Sequence, residues 1–332
     1  MSVRKPTMAQ RLRQLVAVGA VGLVLGAALI LFWPVDARGL PSHPNPVQSF
    51  AEAEQHVRAL RAQEGDDFNP VCHTQFMSHG KKTGRVVVLI HGYSSCPQQF
   101  VELGRLFYQA GDNVLIVPMP WHGLADRMTE VHARLTAEQL TAYGDTVADI
   151  AQGLGDEVAV AGLSGGGVVT GWIAQNRPDV DRAMLIAPGF SFAQVPPALT
   201  LPASRLYGLL PNSFEWFDAE RREAGAPPHS YPKYSTRALA QLMRLGLTVA
   251  AQARQAGPQA PVIVVVTNAN DHSVSNPVTG EIVALWQGAG ASEIRTLEFD
   301  AQLGLGHDLI DPAQPDQQID LVYPKLLELA RE

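Results

Sequence analysis

The chain has 332 residues, of which 46% are hydrophobic and 17% are charged, and its formal net charge is −7. This length allows one large domain with a sizeable core or two small ones. An acidic balance without a basic stripe beyond the first residues argues against nucleic-acid binding, which requires clustered lysine and arginine to neutralise phosphates.

Residues 15–33 form an uninterrupted, uncharged apolar run, and a run of roughly 20 such residues spans a bilayer. By the positive-inside rule we predict a cytoplasmic N-terminus over residues 1–13 and a transmembrane anchor over residues 14–33, with the remainder outside the cytoplasm. The alternative is a signal peptide cleaved after Ala37, but the run is longer than the usual h-region of about 7–15 residues. Four basic residues and no acidic residue precede the run: Arg4, Lys5, Arg11 and Arg13.

Residues 34–48 contain four prolines, which predict a stiff, extended tether between the membrane and the domain. Ser49, followed three residues later by Glu52, forms a capping-box pattern that predicts a helix over residues 50–63. The apolar side of this helix indicates packing on the domain. We therefore assign residues 34–68 to the tether and short helix, and residues 69–332 to the main domain.

From residue 69 onward, apolar segments alternate with helical ones. The strands are apolar without alternation, which indicates burial on both faces, and the helices between them indicate βαβ units. The predicted fold class is therefore α/β, with a doubly wound, mostly parallel sheet. Strands are predicted at residues 85–90, 113–117, 158–163, 182–186, 261–266 and 294–299, and helices at 97–110, 137–153 and 168–176.

A long connection interrupts this alternation between the strands at 182–186 and 261–266. It covers about residues 190–258, is rich in proline and aromatic residues, and ends in a helix near residues 236–256. A connection of that length is usually a functional insertion. We predict a helical cap over the carboxyl edge of the sheet, which is where ligands bind in such folds.

The segment around Ser164 has the pattern of a nucleophile at a strand-to-helix turn. Gly162, Ser164 and Gly166 give G-x-S-x-G, with an apolar strand before them and a helix behind. A sharp turn of this kind lifts the hydroxyl above the sheet and places backbone N–H groups beside it.

Other strand ends at the same edge also carry polar residues. His91, Gly92 and Tyr93 follow the first strand, Asp271 follows the strand at 261–266, and His307 follows the last strand. An alcohol needs a base at neutral pH, which His307 would supply, and a carboxylate at Asp271 would orient and stabilise the imidazolium.

The order of serine, acid and histidine at strand ends resembles the α/β-hydrolase superfamily over about residues 69–332. Within it, the His-Gly-Tyr loop, the cap and the acid loop resemble bacterial carboxylesterases and monoacylglycerol-lipase-like serine hydrolases. The resemblance makes Ser164, Asp271 and His307 the catalytic triad. The Gly165 N–H follows the nucleophile and is one candidate oxyanion donor, and the resemblance assigns the Tyr93 N–H as the second.

Each assignment has competitors. Asp300 ends a strand and Asp308 adjoins the histidine, so both compete with Asp271 as the acid. His272 is interpreted as a loop residue, and the resemblance makes His91 a structural residue that shapes the oxyanion loop.

Trp121 and His122 follow another strand, where the family often has Gly-His-Gly, and we interpret them as part of the pocket wall. The ten histidines show no metal-ligand spacing such as H-E-x-x-H, so neither a metal nor another cofactor is predicted.

Cys72 and Cys96 are the only cysteines. An oxidising compartment permits a disulfide between them that pins the segment before the sheet to the oxyanion loop. The alternative is two buried free thiols.

The predicted function is hydrolysis of carboxylic esters, with an acyl-lipid or other apolar acyl substrate indicated by the apolar, aromatic cap. The alternatives that use the same triad are a peptidase or amidase, a thioesterase and an acyltransferase. A further alternative is a binding module that keeps the fold and has no catalytic activity. The expected partners are a small-molecule ester or lipid and, through the N-terminal helix, a membrane. The anchor and the resemblance imply the bacterial inner membrane, with the hydrolase domain in the periplasm.

Overall fold

The computed structural model describes residues 7–290 and 292–331, and the chain divides into the units Met1–Val35 and Asp36–Glu332. The first unit contains helix α1, Met8–Phe32. Its stretch Arg13–Phe32 has 20 residues, and an 18-residue window of it has a mean hydropathy of 2.7. This is long and apolar enough to cross a membrane and is also typical of a signal sequence. Arg4 and Lys5, which support the predicted orientation, lie outside the described residues.

The second unit is built around a central sheet. Its strands in chain order are β1 (Gln75–Met77), β2 (Thr83–Ile90), β3 (Asn113–Ile116), β4 (Gly155–Leu163), β5 (Arg182–Ile186), β6 (Phe214–Trp216), β7 (Lys233–Ser235), β8 (Val262–Asn268) and β9 (Glu293–Phe299). Among the described residues, seven of these strands form the sheet, in the order β1-β3-β2-β4-β5-β8-β9. Strand β1 is antiparallel to β3 and the other neighbours are parallel, so the predicted doubly wound, mostly parallel sheet is confirmed. The helices are α2 (Phe50–Gln63), α3 (Val101–Gln109), α4 (Ala137–Gln152), α5 (Gly165–Asn176), α6 (Thr200–Leu209), α7 (Thr236–Ala253), α8 (Asn276–Ala289) and α9 (Ile319–Leu329).

Both faces of the sheet are covered, as the apolar strands predict. In β2, Val86 and Val88 belong to one apolar cluster, while Val87 and Leu89 belong to the other, because successive side chains in a strand point to opposite faces. The first cluster includes core residues of α4, α5, α7 and α8, and the second includes those of α3 and α9.

The helix expected over residues 50–63 is confirmed as α2, and the Ser49 hydroxyl accepts the Glu52 N–H at 3.3 Å as its N-terminal cap. Ala53 and Val57 of this helix are buried, in agreement with a packing role.

The segment before α2, for which the prolines predict a stiff, extended tether, packs on the domain from residue 40 onward. Leu40 and Val47 are buried, and the Leu40 carbonyl accepts the Trp172 indole N–H at 3.0 Å. The Asn45 N–H donates to Asp149 at 3.0 Å. Residues 40–48 are therefore bound along α4 and α5, because their backbone donors find carboxylates on α4.

The insertion between β5 and β8 contains α6, the antiparallel pair β6–β7 and α7. Helix α7 buries Leu242, Leu245 and Val249 in the cluster shared with α5 and α8, so it completes the helical layer on that face. The part of the insertion that lies outside this layer precedes α7 and includes the three-residue strands β6 and β7.

Candidate active site

Ser164 occupies a sharp turn between β4 and α5, with φ 79° and ψ −104°. A positive φ is uncommon for a residue with a side chain and marks a strained backbone. The two flanking glycines are required by close backbone approach: a Cβ at Gly162 would lie 2.3 Å from the Gly166 oxygen, and a Cβ at Gly166 would lie 2.1 Å from the Ile90 oxygen. Neither contact is possible, so only glycine fits at these positions.

The three residues expected to form the triad lie in one chain of hydrogen bonds. His307 Nε2 is 2.9 Å from Ser164 Oγ, and His307 Nδ1 is 2.7 Å from Asp271 Oδ2. Since an ionised carboxylate only accepts, Nδ1 carries the proton in this arrangement and Nε2 faces the serine hydroxyl as an acceptor. The other Asp271 oxygen accepts the N–H groups of Ser273 at 2.8 Å and Val274 at 3.1 Å, which fixes the carboxylate.

The electrostatics of the pair favour its charged form. Burial by itself raises the pKa of Asp271, but the hydrogen bond and charge of His307 and the two backbone donors outweigh it and lower that pKa. Burial also opposes the imidazolium, yet the hydrogen bond and charge of Asp271, with the charge of Asp308, raise the pKa of His307 above its ordinary 6.5. His307 is therefore a stronger base than an isolated imidazole.

The other acids and histidines that the sequence offered as candidates do not belong to this chain of hydrogen bonds, and most of them have other partners. Asp300 accepts the Gln302 N–H at 2.8 Å and caps a short turn. Asp308 accepts from the side chain of Gln99. His91 is bonded at both nitrogens, with Nδ1 2.8 Å from the Gly92 carbonyl and Nε2 accepting the Met119 N–H at 2.9 Å. Burial is the main reason that the pKa of His91 falls to about 3, which keeps the ring neutral. His272 has an exposed position in the acid loop.

Two backbone N–H groups flank the serine. A Cβ built on Gly165 would lie 3.1 Å from Tyr93 N, so the two predicted donor residues are neighbours. Gly165 is the first residue of α5, and the first N–H groups of a helix have no acceptor within it. The Tyr93 N–H makes no hydrogen bond within the described part of the chain. Both donors are therefore available to an oxygen bound near Ser164.

The family model described as "Alpha/beta hydrolase family" matches residues 87–321 of the chain. The chain belongs to the alpha/beta hydrolase family. A curated relative, the thermostable monoacylglycerol lipase of Bacillus sp. (strain H-257), is 24% identical over 231 residues, which are 64% of this chain and 84% of the relative.

Solved structures have the same fold as this hydrolase. A structure of the metagenome-derived lipolytic enzymes LipS and LipT has a TM-score of 0.59 at 21% identity, covering 80% of this chain and 99% of that one. The monoacylglycerol lipase of Paleococcus ferrophilus has a TM-score of 0.57 at 15% identity, covering 78% and 98%. The expected resemblance is confirmed, and the comparisons support the predicted enzyme class, a carboxylic ester hydrolase.

In this hydrolase, the two residues interpreted as pocket wall, Trp121 and His122, differ in their exposure to solvent. Trp121 has a positive φ of 69°, is 37% exposed and donates its indole N–H to Gln139 at 3.0 Å. His122 is buried, and its Nδ1 lies 2.9 Å from the Pro120 carbonyl. Burial lowers the pKa of His122 to about 4, so its ring is neutral.

The turn at residues 92–95, which carries the Tyr93 N–H and is called the oxyanion turn below, contacts a cluster of rings. Three members of this cluster were not predicted from the sequence: His132, Phe214 and Tyr231. His132 stacks on Tyr93 with ring centroids 5.7 Å apart, and Tyr231 packs edge-on against His132 at 5.0 Å. The Tyr93 hydroxyl accepts the Ser235 N–H at 3.1 Å, which joins the oxyanion turn to the end of β7. His132 lies in the short 3-10 turn Val131–Arg134, Phe214 is the first residue of β6, and Tyr231 lies just before β7. None of them belongs to a motif, so no sequence signal marked them. The ring cluster comprises His91, Tyr93, His122, His132, Phe214 and Tyr231.

The predicted disulfide is confirmed: Cys72 and Cys96 are bonded, with Cα atoms 5.3 Å apart. Cys96 directly precedes the short turn Pro97–Phe100 and lies three residues after Tyr93. The bridge therefore holds the loop that carries an oxyanion donor candidate against the segment before β1.

Proposed function

We propose that the protein is a serine hydrolase that cleaves carboxylic esters through an acyl-enzyme formed on Ser164. The observation that carries this proposal is the chain of hydrogen bonds from Ser164 Oγ to His307 at 2.9 Å and from His307 to Asp271 at 2.7 Å. This is the arrangement in which an imidazole activates an alcohol while a carboxylate holds the tautomer that it needs.

The reaction begins when His307 Nε2 takes the proton of the Ser164 hydroxyl as Oγ attacks the ester carbonyl. The negative charge that develops on the carbonyl oxygen is stabilised by the N–H groups of Tyr93 and Gly165. Asp271 stabilises the imidazolium, which then gives its proton to the leaving alcohol. Water, activated by His307 in the same way, releases the acid and regenerates Ser164.

An ester with an apolar acyl group is the proposed substrate class. Its support is twofold: the curated relative and a structural neighbour are named monoacylglycerol lipases, and the insertion carries exposed apolar side chains such as Leu206 and Phe217. Amides, thioesters and acyl acceptors other than water use the same triad, and they are the competing outcomes of a substrate panel.

The test is a chain-length series of nitrophenyl esters, assayed beside matched anilide and thioester substrates. Ser164→Ala should lower kcat by at least about 10⁴-fold, as loss of a triad nucleophile does. Ser213→Ala makes the same chemical change at an exposed position between α6 and β6 and should keep the wild-type rate. Equal turnover by wild type and Ser164→Ala would refute the mechanism, and a preference for the anilide or thioester would change the substrate class.

We further propose that residues 14–33 anchor the hydrolase to the bacterial inner membrane, with residues 1–13 in the cytoplasm and the domain from residue 69 outside it. The disulfide supports an oxidising compartment for the domain, and the length and hydropathy of α1 support the anchor. Protease treatment of spheroplasts should degrade the domain, and the uncleaved chain should sediment with membranes. A soluble product that begins after Ala37 would favour the secreted form instead.

A further inference from the structure

A single side chain connects the oxyanion turn to the histidine loop. Gln99 is buried in the turn Pro97–Phe100, with 2% of its surface exposed. Its Oε1 accepts the Gly92 N–H at 2.7 Å, and its Nε2 donates to Asp308 Oδ2 at 2.7 Å. Gly92 directly precedes Tyr93 and Asp308 directly follows His307, so this amide spans the two loops.

The Gln99 side chain can bridge the two loops in only one orientation, because its oxygen can only accept a hydrogen bond and its nitrogen can only donate one. Gly92 offers a donor, which needs the amide oxygen, and an ionised Asp308 offers acceptors, which need the amide N–H. Asp308 Oδ2 also accepts the side chain of Gln314 at 3.0 Å. Burial, followed by the charge of Asp311, raises the pKa of Asp308 to about 6, so at pH 8 the group is a carboxylate and requires these donors.

The oxyanion turn is closely packed at Gly92 and has little room to adjust if the Gln99 side chain changes. A Cβ on Gly92 would lie 3.3 Å from Leu163 Cδ2 and 3.5 Å from Gln99 Oε1. Leu163 immediately precedes Ser164, so the turn is held between the residue before the nucleophile and the Gln99 amide. We expect a change in that amide to displace the Tyr93 N–H relative to Ser164.

We propose that Gln99 is a positioning residue for ester hydrolysis, holding the oxyanion donor of Tyr93 in register with His307 through its bond to Asp308. The proposal rests on the proposed function of Ser164, His307 and Tyr93. In the transition state the oxyanion and the imidazolium exist together, so the distance between the two loops matters most at that point. A misplacement of about 1 Å in a reacting group costs up to about 100-fold in rate.

The test is a polarity swap in the full-length chain. Gln99→Glu keeps the acceptor for Gly92 but replaces the donor by an oxygen that faces the Asp308 carboxylate. At pH 8 its kcat should fall by about 10- to 100-fold, with KM within about twofold of wild type. Adding Asp308→Asn to Gln99→Glu restores a donor–acceptor pair of reversed polarity and should raise kcat at least about tenfold above Gln99→Glu, since the pair again holds both loops.

Two further variants distinguish the loss of the two Gln99 hydrogen bonds from the effect of an added charge. Gln98→Glu introduces the same charge one residue away, where the side chain makes no hydrogen bond in the described chain, and should retain the wild-type kcat. Gln99→Met removes both bonds without adding a charge, and it should show the same loss in kcat with the same KM.

The proposal is overturned if Gln99→Glu and Gln99→Met keep the wild-type kcat, or if the double variant is no faster than Gln99→Glu while melting at the wild-type temperature. These results leave the proposed function standing as long as the wild type is active and Ser164→Ala is not. Absence of ester hydrolysis by the folded wild type would instead remove the proposed function itself.

Discussion

Arg177 is the most deeply buried charged side chain in the helical layer of α4, α5, α7 and α8, and its substitution tests how this layer is held together. Its guanidinium has no exposed surface among the described residues and contacts three carboxylates. The distances are 3.0 Å to Asp145, 2.6 Å to Asp149 and 2.7 Å to Asp179. Because Arg177 follows the last residue of α5, these ion pairs fix the far end of the helix that follows Ser164.

The same carboxylates hold the segment before α2. Asp145 accepts the His43 N–H at 2.7 Å, and Asp149 accepts the Asn45 N–H at 3.0 Å. The cation and the bound segment therefore share their partners, and loss of Arg177 leaves buried carboxylates that only backbone and hydroxyl donors still stabilise.

Substitution of Arg177 by Met keeps much of the volume and removes the charge. Removing one partner of a buried ion pair costs about 3–5 kcal/mol, and we expect a loss of that size in the free energy of unfolding at pH 8. Burial already raises the pKa of Asp149, more than the bonds from Arg177 and Asn45 lower it, and without Arg177 that pKa rises further. A raised carboxyl pKa in the folded state makes stability fall as pH rises from the unfolded pKa to the folded one. The deficit should therefore shrink at pH 5, by at most about 1.4 kcal/mol per group and pH unit.

The assay is equilibrium urea unfolding of the detergent-solubilised chain at pH 8 and pH 5, followed by tryptophan fluorescence. Arg244→Met is the matched control, because Arg244 pairs with Glu138 at 2.7 Å with both side chains substantially exposed. Such a surface pair contributes less than about 1 kcal/mol. A deficit for Arg177→Met as small as that of the control, or one that grows on acidification, would refute this reasoning.

The remaining predictions concern the site and the disulfide. The kcat/KM for ester hydrolysis should rise with pH through a single group above 6.5, because the pKa of His307 is raised, and a limb below 6.5 would contradict this. Asp308→Asn should move the same limb to lower pH, since the Asp308 charge favours the imidazolium; an unmoved limb would exclude that influence. Replacing both Cys72 and Cys96 by Ala should lower the free energy of unfolding by about 3.5 kcal/mol in the chain-entropy model for a separation of 24 residues, and an unchanged urea midpoint would contradict it.

Much of the fold could be predicted because its strands are buried on both faces and read as continuous apolar runs. The strand at residues 182–186 has the expected bounds, and α2 begins directly after its expected cap, Ser49. By contrast, β1, β6 and β7 have three residues each, too few to show a period.

The candidate site was predictable at the residues that follow strands, because parallel strands bring their carboxyl ends to one edge. Its supporting contacts were not. Gln99 and Asp308 are separated by 209 positions, and His43 and Asp145 by 102, so no local pattern connects them. Those contacts depend on side-chain directions that only the assembled structure fixes.

Covalent labelling of the folded chain with a fluorophosphonate probe, followed by peptide mapping, tests most directly whether Ser164 is the nucleophile. We expect one adduct, on the peptide that contains Ser164, and no adduct in Ser164→Ala or after prior acid unfolding. Labelling of Ser164→Ala to the wild-type extent, or an adduct on a different serine, would contradict the assignment of Ser164 as the nucleophile.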